Sequence, residues 1–238
     1  MILGVIGMCG RFTVNYSYDQ ILKYLEKEYS IFDMELDFEL PRYNVSPGQQ
    51  VLSVINDGEN YRVGTFKWGF IPEYTTDDSS AYKMINARSE DITSKMAFRD
   101  SFFSKRCIIL SDGFYEWDKV TGSRNPYYIT FKDKSLVAFA GIWSRYVKNG
   151  VPIYTTSILT TKANALVGEI HDRMPVVLSS YEAKKWLDNR LVDKDVLQSL
   201  LVSYDSQHMS KHQVSTHVNK VANDDVTCIE EYVELRLF

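Results

Sequence analysis

Two β-type runs, Val51 to Ile55 and Tyr61 to Trp68, flank the short polar segment Asn56 to Asn60. Within that segment, Asp57 and Gly58 supply the positive-φ positions that a tight hairpin turn requires. The pattern therefore predicts a β-hairpin, which commits this part of the chain to an antiparallel sheet.

Sequence patterns of the same kind predict further strands and several helices. The predicted strands are Arg11 to Val14, Arg106 to Leu110, Tyr127 to Phe131, Leu136 to Trp143, Ile153 to Thr160 and Val176 to Leu178. The predicted helices are Ser17 to Ser30, Ser94 to Lys105, Thr161 to Gly168, Ser179 to Asp188 and Asp193 to Tyr204, with His171 to Pro175 as a loop. Strands and helices alternate without a βαβ rhythm, which favours one mixed α+β domain.

The overall composition limits the kinds of partner that the chain can bind. A net charge of −4 argues against a generally basic coat for nucleic acid, so any nucleic acid requires a local basic patch. The three cysteines are widely spaced and contain no CxxC pair, a pattern typical of a reduced cytoplasmic protein. No signal peptide or membrane span is predicted.

A methionine is followed directly by a cysteine at Met8-Cys9. If translation starts at Met8 and that residue is removed, Cys9 carries a thiol and a free α-amine, both partly reactive near neutral pH. Such a 1,2-aminothiol captures an aldehyde as a Schiff base and then closes a thiazolidine ring. The alternative is a small buried cysteine in a first strand, which is the commoner outcome for a lone cysteine.

Asn86 and Arg88 are two residues apart on an extended segment, so their side chains share one face. An arginine fork suits phosphate, and an asparagine amide can donate to phosphate or hydroxyl oxygens. The pair could therefore address one ligand. The competing interpretation is a surface loop with a strand-capping asparagine, which the pair taken alone favours.

Glu116 lies between Tyr115 and Trp117, and aromatic surroundings tend to raise the pKa of a carboxylic acid. A raised pKa would let Glu116 act as a general acid and base near neutrality. A solvent-facing glutamate on an edge strand is an equally good interpretation. His171 occupies a polar His-Asp-Arg segment, which favours a functional or hydrogen-bonding role over core packing.

The sequence predicts neither a metal site nor a cofactor. His208, His212 and His217 recur at short intervals, but no Cys, Asp or Glu stands close enough in sequence to complete a metal-binding set. A phosphate-cradling glycine loop and a GxSxG motif are both missing from the sequence.

Taken together and in order, the chemistry-bearing segments resemble the motif series of the SOS response-associated peptidase (SRAP) family. They are Cys9-Gly10-Arg11-Phe12, Arg42-Tyr43-Asn44-Val45-Ser46-Pro47, Trp68-Gly69, Ile85-Asn86-Ala87-Arg88, Asp112-Gly113-Phe114-Tyr115-Glu116-Trp117, Thr160 and Ile170-His171-Asp172-Arg173-Met174-Pro175. Bacterial and eukaryotic members are abasic-site processing proteins that become covalently linked to DNA. The resemblance implies an α+β fold, a single domain with a bifurcated or barrel-like, mainly antiparallel sheet flanked by helices.

The resemblance also implies a role for each matching residue. Cys9 would form a thiazolidine with the aldehyde of an abasic site in single-stranded DNA, protecting the site during the DNA damage response. Glu116 would shuttle protons and assist methionine removal, Asn86 would position the N-terminus and the sugar-phosphate, and His171 would promote sugar-ring opening or crosslink reversal. Residues implied to contact or line the DNA groove are Arg11, Asn44, Arg88 and Thr160.

Phosphate contacts of this type predict salt-sensitive, sequence-tolerant binding in a groove that is only locally basic. The residues expected to make that groove basic are Arg11, Arg42, Lys67, Arg88 and Arg106. Many bacterial family members carry a tryptophan pair after the Trp-Gly motif, where this chain has Pro72-Glu73-Tyr74. Tyr74 is therefore the residue expected to offer a stacking face to a base.

Residues 1–8 form a leader or initiator segment expected to be absent from the mature protein, with 9–238 as the single domain. We expect a cytoplasmic monomer that associates with the nucleoid on damage. Two other functions remain open. One is a cysteine peptidase with Cys9 as nucleophile and His171 as base, and the other is a non-covalent single-stranded DNA-binding module.

Overall fold

The computed structural model describes residues 10–34, 38–75, 84–133 and 135–233. The strands are β1 Arg11–Val14, β2 Arg42–Val45, β3 Gln50–Asn56, β4 Tyr61–Trp68, β5 Asn86–Arg88, β6 Arg106–Ser111, β7 Gly113–Trp117, β8 Pro126–Phe131, β9 Val137–Lys148, β10 Val151–Lys162, β11 Arg173–Pro175, β12 Val177–Leu178 and β13 Met209–Gln213. The α-helices are α1 Tyr18–Tyr29, α2 Met96–Ser104, α3 Ser180–Leu187 and α4 Lys194–Ser199.

A closed barrel of five strands forms the centre of the fold. The predicted hairpin is confirmed as β3 and β4, which pair in antiparallel register from Gln50↔Lys67 to Asn56↔Tyr61. From there the pairing runs through β6 and β9 to β10, and β10 returns to β4 in a parallel pairing that closes the ring. Strands β5, β11 and β12 extend this sheet beyond the ring.

A second sheet, entirely antiparallel, has the order β13-β8-β7-β1-β2. The two sheets share a core, because Phe12 of β1 packs 5.2 Å from the ring of Trp68 and 6.0 Å from that of Phe139. The predicted fold class is therefore confirmed: one α+β domain with a barrel-like, mainly antiparallel sheet. Its parallel pairings in the described chain are β10 with β4 and β10 with β5.

Helices α1 and α3 begin where their sequences predict. Each starts with a reciprocal capping box, Ser17 with Gln20 and Ser179 with Glu182, which satisfies backbone N–H groups that a first turn leaves unpaired. No helix in the described part of the chain is both long and apolar enough to cross a membrane.

Several predicted elements after Ile153 are wrong. The helix predicted from Thr161 is not formed, because β10 continues to Lys162, where it pairs with Arg173 of β11. The predicted loop from His171 thus contains a strand, and only a 3₁₀ turn, Val167–Glu169, remains of the helix. The helix predicted to run to Tyr204 ends at Ser199, and the last part of the described chain forms 3₁₀ turns at Thr216–Asn219 and Val226–Cys228.

Arg106 is not part of a basic groove, contrary to the prediction. It is 1% exposed, and its guanidinium donates to five backbone carbonyls. These acceptors lie in α2 and in the segment around Trp186, so Arg106 ties two helical segments to β6. Burial lowers the pKa of this guanidinium to about 10.

Candidate active site

Glu116 lies on β7, the central strand of the second sheet, and not on an edge strand. The residue is 3% exposed, and within the described chain its Oε1 accepts no hydrogen bond. Burial raises its pKa to about 8, against a smaller opposing effect of Lys119. The direction of the shift agrees with the prediction from the aromatic context, and the carboxyl group is largely protonated at neutral pH.

His171 follows the 3₁₀ turn Val167–Glu169 and is 1% exposed. Its Nδ1 accepts a hydrogen bond from the backbone N–H of Arg173 at 3.0 Å and lies 3.3 Å from a carboxylate oxygen of Asp172. Burial lowers the pKa of the imidazole, and the nearby Lys119 lowers it further. His171 is therefore a neutral imidazole at physiological pH.

The structure brings Glu116 and His171 together from distant parts of the sequence. Oε2 of Glu116 lies 3.9 Å from Nε2 of His171, and the Nζ of Lys119 lies 2.9 Å from the same ring nitrogen. The contact depends on a backbone hydrogen bond, in which the N–H of Lys119 donates to the carbonyl of Ile170 at 2.9 Å. A protonated carboxyl group beside a neutral imidazole can serve as a general acid–base pair.

Asn86 and Arg88 lie on β5, which pairs in parallel with β10 in the register Ile158↔Asn86 and Thr160↔Arg88. Asn86 is buried at 8% exposure, whereas Arg88 is exposed. The alternation of a strand directs both side chains to one face, as predicted. Asn86 can thus hydrogen-bond a buried group, whereas Arg88 extends to the surface and can contact a ligand bound there.

Thr160 is fully buried, so the structure does not present it as a direct contact for DNA. Its carbonyl oxygen accepts a hydrogen bond from Nη2 of Arg173 at 2.6 Å, and its Oγ1 lies 3.3 Å from the same nitrogen. The guanidinium of Arg173 also binds both carboxylate oxygens of Glu90. Thr160 therefore anchors the guanidinium of Arg173, and Arg173 in turn links β10, β11 and the loop after Arg88.

Asn44 is likewise fully buried and is not a direct surface contact. Its Nδ2 donates to the carbonyls of Val218, Lys220 and Asn223, while its Oδ1 accepts a hydrogen bond from Nη1 of Arg11 at 2.8 Å. Arg11 donates to Val218 as well. Asn44 thus fixes Arg11 and the 218–223 segment at the edge of the second sheet.

Arg42 and Tyr74, two further residues predicted to contact DNA, differ in their availability. The Nε of Arg42 donates to a carboxylate oxygen of Asp224 at 2.5 Å, so an internal ion pair balances the charge of this half-buried residue. Tyr74 is 60% exposed in the loop after β4. Beside it, Glu73 forms an ion pair with Lys105, which anchors this loop to the end of α2.

Four further residues near the candidate site were not predicted from the sequence to be part of it: Lys119, Arg173, Trp117 and Asn219. The indole Nε1 of Trp117 donates to Oδ1 of Asn219 at 2.8 Å, and the guanidinium of Arg11 lies 6.0 Å from the indole ring. Lys119 directly after a strand, or Trp117 beside Glu116, has no local sequence pattern that predicts these contacts. Only the pairing of distant segments reveals them.

His217, Asp225 and Cys228 form a cluster whose possible metal-ligand atoms lie within 4.8 Å of one another. Each atom has a protein partner: the Nε2 of His217 lies 3.0 Å from Asp225, and the thiol of Cys228 donates to the carbonyl of Asn223. These contacts favour a structural interpretation of the cluster. Cys9, the predicted nucleophile, lies outside the described residues.

The fold and the site define the class: an α+β barrel protein with a buried acid–imidazole pair bordered by arginines. The chain belongs to the SOS response associated peptidase (SRAP) family, whose model matches residues 8–221. It is 43% identical to the Bacillus subtilis abasic site processing protein YoqW over 227 residues, covering 94% of this chain and 100% of YoqW.

Two other comparisons agree with this membership. The chain is 30% identical to the Xenopus tropicalis abasic site processing protein HMCES over 263 residues, covering 93% of this chain and 78% of HMCES. A crystal structure of a Bacteroides thetaiotaomicron protein superimposes with a TM-score of 0.80 at 27% identity, covering 94% of this chain and 100% of that chain.

Proposed function

We propose that this protein processes abasic sites in single-stranded DNA by forming a covalent thiazolidine crosslink through Cys9. The relatives YoqW and HMCES are both named abasic site processing proteins, which supports an abasic site as the substrate. The observation that carries the chemistry is the buried Glu116 carboxyl group, with a pKa of about 8, lying 3.9 Å from His171.

The α-amine of Cys9 adds to the C1′ aldehyde of the opened abasic sugar, and the resulting carbinolamine loses water to give an imine. The thiol sulfur then adds to the imine carbon, while the imine nitrogen takes up the proton that the thiol releases. Loss of water requires a proton donor, and a carboxyl group that remains protonated at neutral pH fits this role. Glu116 is the donor in this proposal, and His171 hydrogen-bonds the opened sugar and promotes ring opening or crosslink reversal.

Contacts with the DNA backbone hold the strand without reading its sequence. Arg88 and Arg11 supply the charged contacts, Asn86 positions the sugar-phosphate and the N-terminus, and Tyr74 stacks on a base. In this proposal the buried Asn44 and Thr160 act indirectly, through Arg11 and Arg173. Arg42, paired with Asp224, organises the groove and does not neutralise phosphate.

The chemistry requires a free α-amine on Cys9. We therefore propose Met8 as the first translated residue, with Glu116 assisting its removal in a self-directed peptidase step, and residues 1–7 absent from the mature protein. The match of the family model from residue 8 supports this start. An intact-mass measurement on protein from the native gene checks it, and a mature chain beginning at Met1 would rule it out.

The decisive experiment incubates the mature protein with single-stranded DNA that carries one abasic site and separates the products on a denaturing gel. We expect a shifted band that is lost in Cys9→Ala and with undamaged DNA of the same sequence. No shift from protein with Cys9 shown to be N-terminal overturns the proposal. Cleavage of peptides in trans indicates the peptidase instead, and binding without a covalent band indicates a single-strand binding module.

A second gel assay tests release and strand scission. After crosslinking, an excess of undamaged competitor DNA is added and the covalent band is followed over time. Loss of the band together with return of intact abasic DNA indicates crosslink reversal, and a shortened DNA product indicates a lyase activity. His171→Ala is expected to slow the reversal, whereas an unchanged rate removes His171 from that step.

A further inference from the structure

We propose that Lys119 is a second nucleophile of the site. Its side-chain amine forms a Schiff base with the aldehyde of an abasic site and cleaves the DNA strand by β-elimination when Cys9 has no free α-amine. The inference rests on the proposed function, because it takes the same substrate. It assigns strand scission to a residue that is separate from the thiazolidine step.

Lys119 reaches from the surface into the buried part of the site. The residue as a whole is exposed, yet its Nζ lies 2.9 Å from Nε2 of His171, a side chain that is 1% exposed. Its backbone N–H donates to the carbonyl of Ile170 at 2.9 Å, which fixes the start of the side chain beside the imidazole. The amine therefore lies between solvent and the buried acid–base pair, where an aldehyde entering from the surface can reach it.

The hydrogen bonds of His171 favour the uncharged form of this amine. Nδ1 accepts the backbone N–H of Arg173 at 3.0 Å, so the single ring proton of the neutral imidazole is on Nε2. Nε2–H then faces Nζ, and an ammonium group has no lone pair that could accept it. The contact at 2.9 Å is therefore a hydrogen bond only with the uncharged amine, which is the nucleophilic form of a lysine.

The charged groups around the imidazole agree with this assignment. They are Lys119, Glu116, Asp172 and Arg173. Burial raises the pKa of Glu116 to about 8, so at neutral pH this carboxyl group is largely protonated and does little to stabilise an ammonium ion beside it. Asp172 lies on the other side of the ring, against Nδ1, and its side chain is 82% exposed. Arg173 adds a positive charge.

Glu116 supplies the proton donor that a lysine nucleophile needs. Its Oε2 lies 3.9 Å from the same Nε2 that contacts Lys119, and within the described chain its Oε1 accepts no hydrogen bond. One carbonyl group can therefore approach the amine with its carbon and the carboxyl group with its oxygen. Imine formation requires this combination of a nucleophilic amine and an acid that protonates the departing oxygen.

The pairing of β1 with β7 brings the two proposed nucleophiles to one end of the second sheet. The strands are antiparallel, in the register Arg11↔Tyr115. Followed backwards from Arg11, the described chain ends at Gly10, at the end of β7 that carries Glu116 and leads to Lys119. A substrate that reaches the start of β1 thus also reaches Lys119.

The Schiff base forms in two steps. Nζ adds to C1′ of the aldehyde, and an amine proton passes to the former carbonyl oxygen, which gives a carbinolamine. Glu116 then donates its proton to the hydroxyl group, which leaves as water. An iminium ion remains on Lys119 beside the Glu116 carboxylate.

Strand scission follows from this iminium ion. The Glu116 carboxylate removes a proton from C2′, and the resulting enamine breaks the bond between C3′ and its phosphate oxygen. Water hydrolyses the unsaturated iminium ion and returns the lysine as an ammonium ion, which loses a proton to solvent. The products are one fragment with an unsaturated aldehyde at its 3′ end and one with a 5′-phosphate.

Reductive trapping tests the Schiff base directly. The 238-residue chain carrying Cys9→Ala, with residues 1–8 verified by intact mass, is incubated with single-stranded abasic DNA and sodium borohydride, which reduces an imine to a stable amine. Nuclease digestion, proteolysis and mass spectrometry then locate the attachment. We expect it at Lys119. Attachment at the N-terminal α-amine or at another lysine overturns the inference, as does the absence of any adduct.

Two substitutions separate the nucleophile from its charge. Lys119→Arg keeps a positive charge without a nucleophilic amine, and Lys119→Met removes both. Each should lose the trapped adduct and, without borohydride, the shortened DNA product. Lys162→Arg is the matched control, since Lys162 is exposed at the end of β10 opposite Arg173, and it should retain both products. Undiminished scission by Lys119→Arg would show that charge alone is required.

The outcome also separates this inference from the proposed function. If the mature wild type forms the Cys9 crosslink and the 238-residue chain gives no Lys119 adduct, only the role of Lys119 is wrong. If the mature wild type forms no crosslink and the Lys119 adduct appears, the thiazolidine proposal fails and the assignment of Lys119 stands.

Discussion

Arg173 donates two hydrogen bonds to the carboxylate of Glu90, at 2.7 and 2.8 Å, and this ion pair ties the strand after His171 to the loop after Arg88. The guanidinium is 8% exposed and its carboxylate partner 47% exposed. The pair therefore lies at the boundary between the protein interior and the proposed DNA groove. It links the segment of His171 to the segment of Arg88, the arginine proposed to bind phosphate, although the sequence predicted a role for neither member of the ion pair.

Replacing Arg173 by Met should destabilise the protein by about 3 kcal/mol, because it leaves the carbonyl of Thr160 without its side-chain donor and Glu90 without its counter-ion. Urea unfolding followed by circular dichroism measures the change. Arg62→Met is the matched control, since Arg62 forms an ion pair at the same 2.7 Å distance but is 61% exposed. Equal unfolding midpoints for the two variants would show that Arg173 is not a structural clamp.

Burial of Glu116 in its protonated form should make stability depend on pH. The folded-state pKa of about 8 lies above the ordinary value of 4.5, so between these values the folded protein retains a proton that the unfolded chain has released. This contribution to stability is fully present below pH 4.5 and is lost as pH rises through 8, by about 1.4 kcal/mol per pH unit. Urea unfolding at pH 5 and pH 8 should reveal the loss.

Glu116→Gln removes the titrating group and should flatten this pH dependence, so the variant is more stable than the wild type at pH 8. Glu230→Gln, at an exposed position, should leave the wild-type dependence unchanged. A Glu116→Gln protein that loses stability as steeply as the wild type would mean that Glu116 ionises normally in the folded state. The same variant should also slow crosslinking, and a wild-type rate would remove Glu116 from the mechanism.

The local parts of the fold could be predicted because their causes are local. The β3–β4 hairpin turns at Gly58, whose φ is positive as predicted, whereas Asp57 does not have the positive φ predicted for it. The capping boxes at Ser17 and Ser179 fix the starts of two helices. The helix predicted after Thr160 was wrong because its residues complete the pairing of β10 with β11, a tertiary contact that overrides local propensity. The closure of the barrel through β10 and β4 also joins distant segments.

The features of the candidate site also fall into those that local sequence predicts and those that depend on contacts between distant segments. The aromatic neighbours of Glu116 gave the direction of its pKa shift, and the spacing of Asn86 and Arg88 gave their common face. By contrast, the burial of Asn44 and Thr160 depends on which carbonyls and guanidinium groups fold against them. Polar residues in motifs therefore indicated the segments that carry the candidate site, while the distinction between exposed and buried side chains among them required the structure.

Asn44→Ala should destabilise the 218–223 segment and, through it, Arg11. The substitution removes the amide that donates to the carbonyls of Val218, Lys220 and Asn223, at a cost of about 3 kcal/mol when several buried acceptors lose a donor. Hydrogen exchange measured by mass spectrometry should show faster exchange in this segment. If exchange there is unchanged while DNA binding falls, Asn44 contacts DNA directly and the indirect role is wrong.

Arg88 and Tyr74 should affect DNA binding in different ways. Binding to undamaged single-stranded DNA is measured over a range of salt concentrations, so that crosslinking does not contribute. Arg88→Gln should reduce the slope of log affinity against log salt by about 0.7, because one phosphate contact with a single strand is lost. Tyr74→Ala should weaken binding by about 1–3 kcal/mol and leave the slope unchanged, since stacking releases no counterions.

Tyr181→Ala is the control for the tyrosine, because Tyr181 is 75% exposed on α3 and outside the proposed groove. It should bind as the wild type does. If Tyr74→Ala also binds normally, the loop after β4 does not supply a stacking face. A lowered slope in Tyr74→Ala would indicate instead that the substitution moves charged neighbours, since Glu73 and Lys105 form an ion pair beside it.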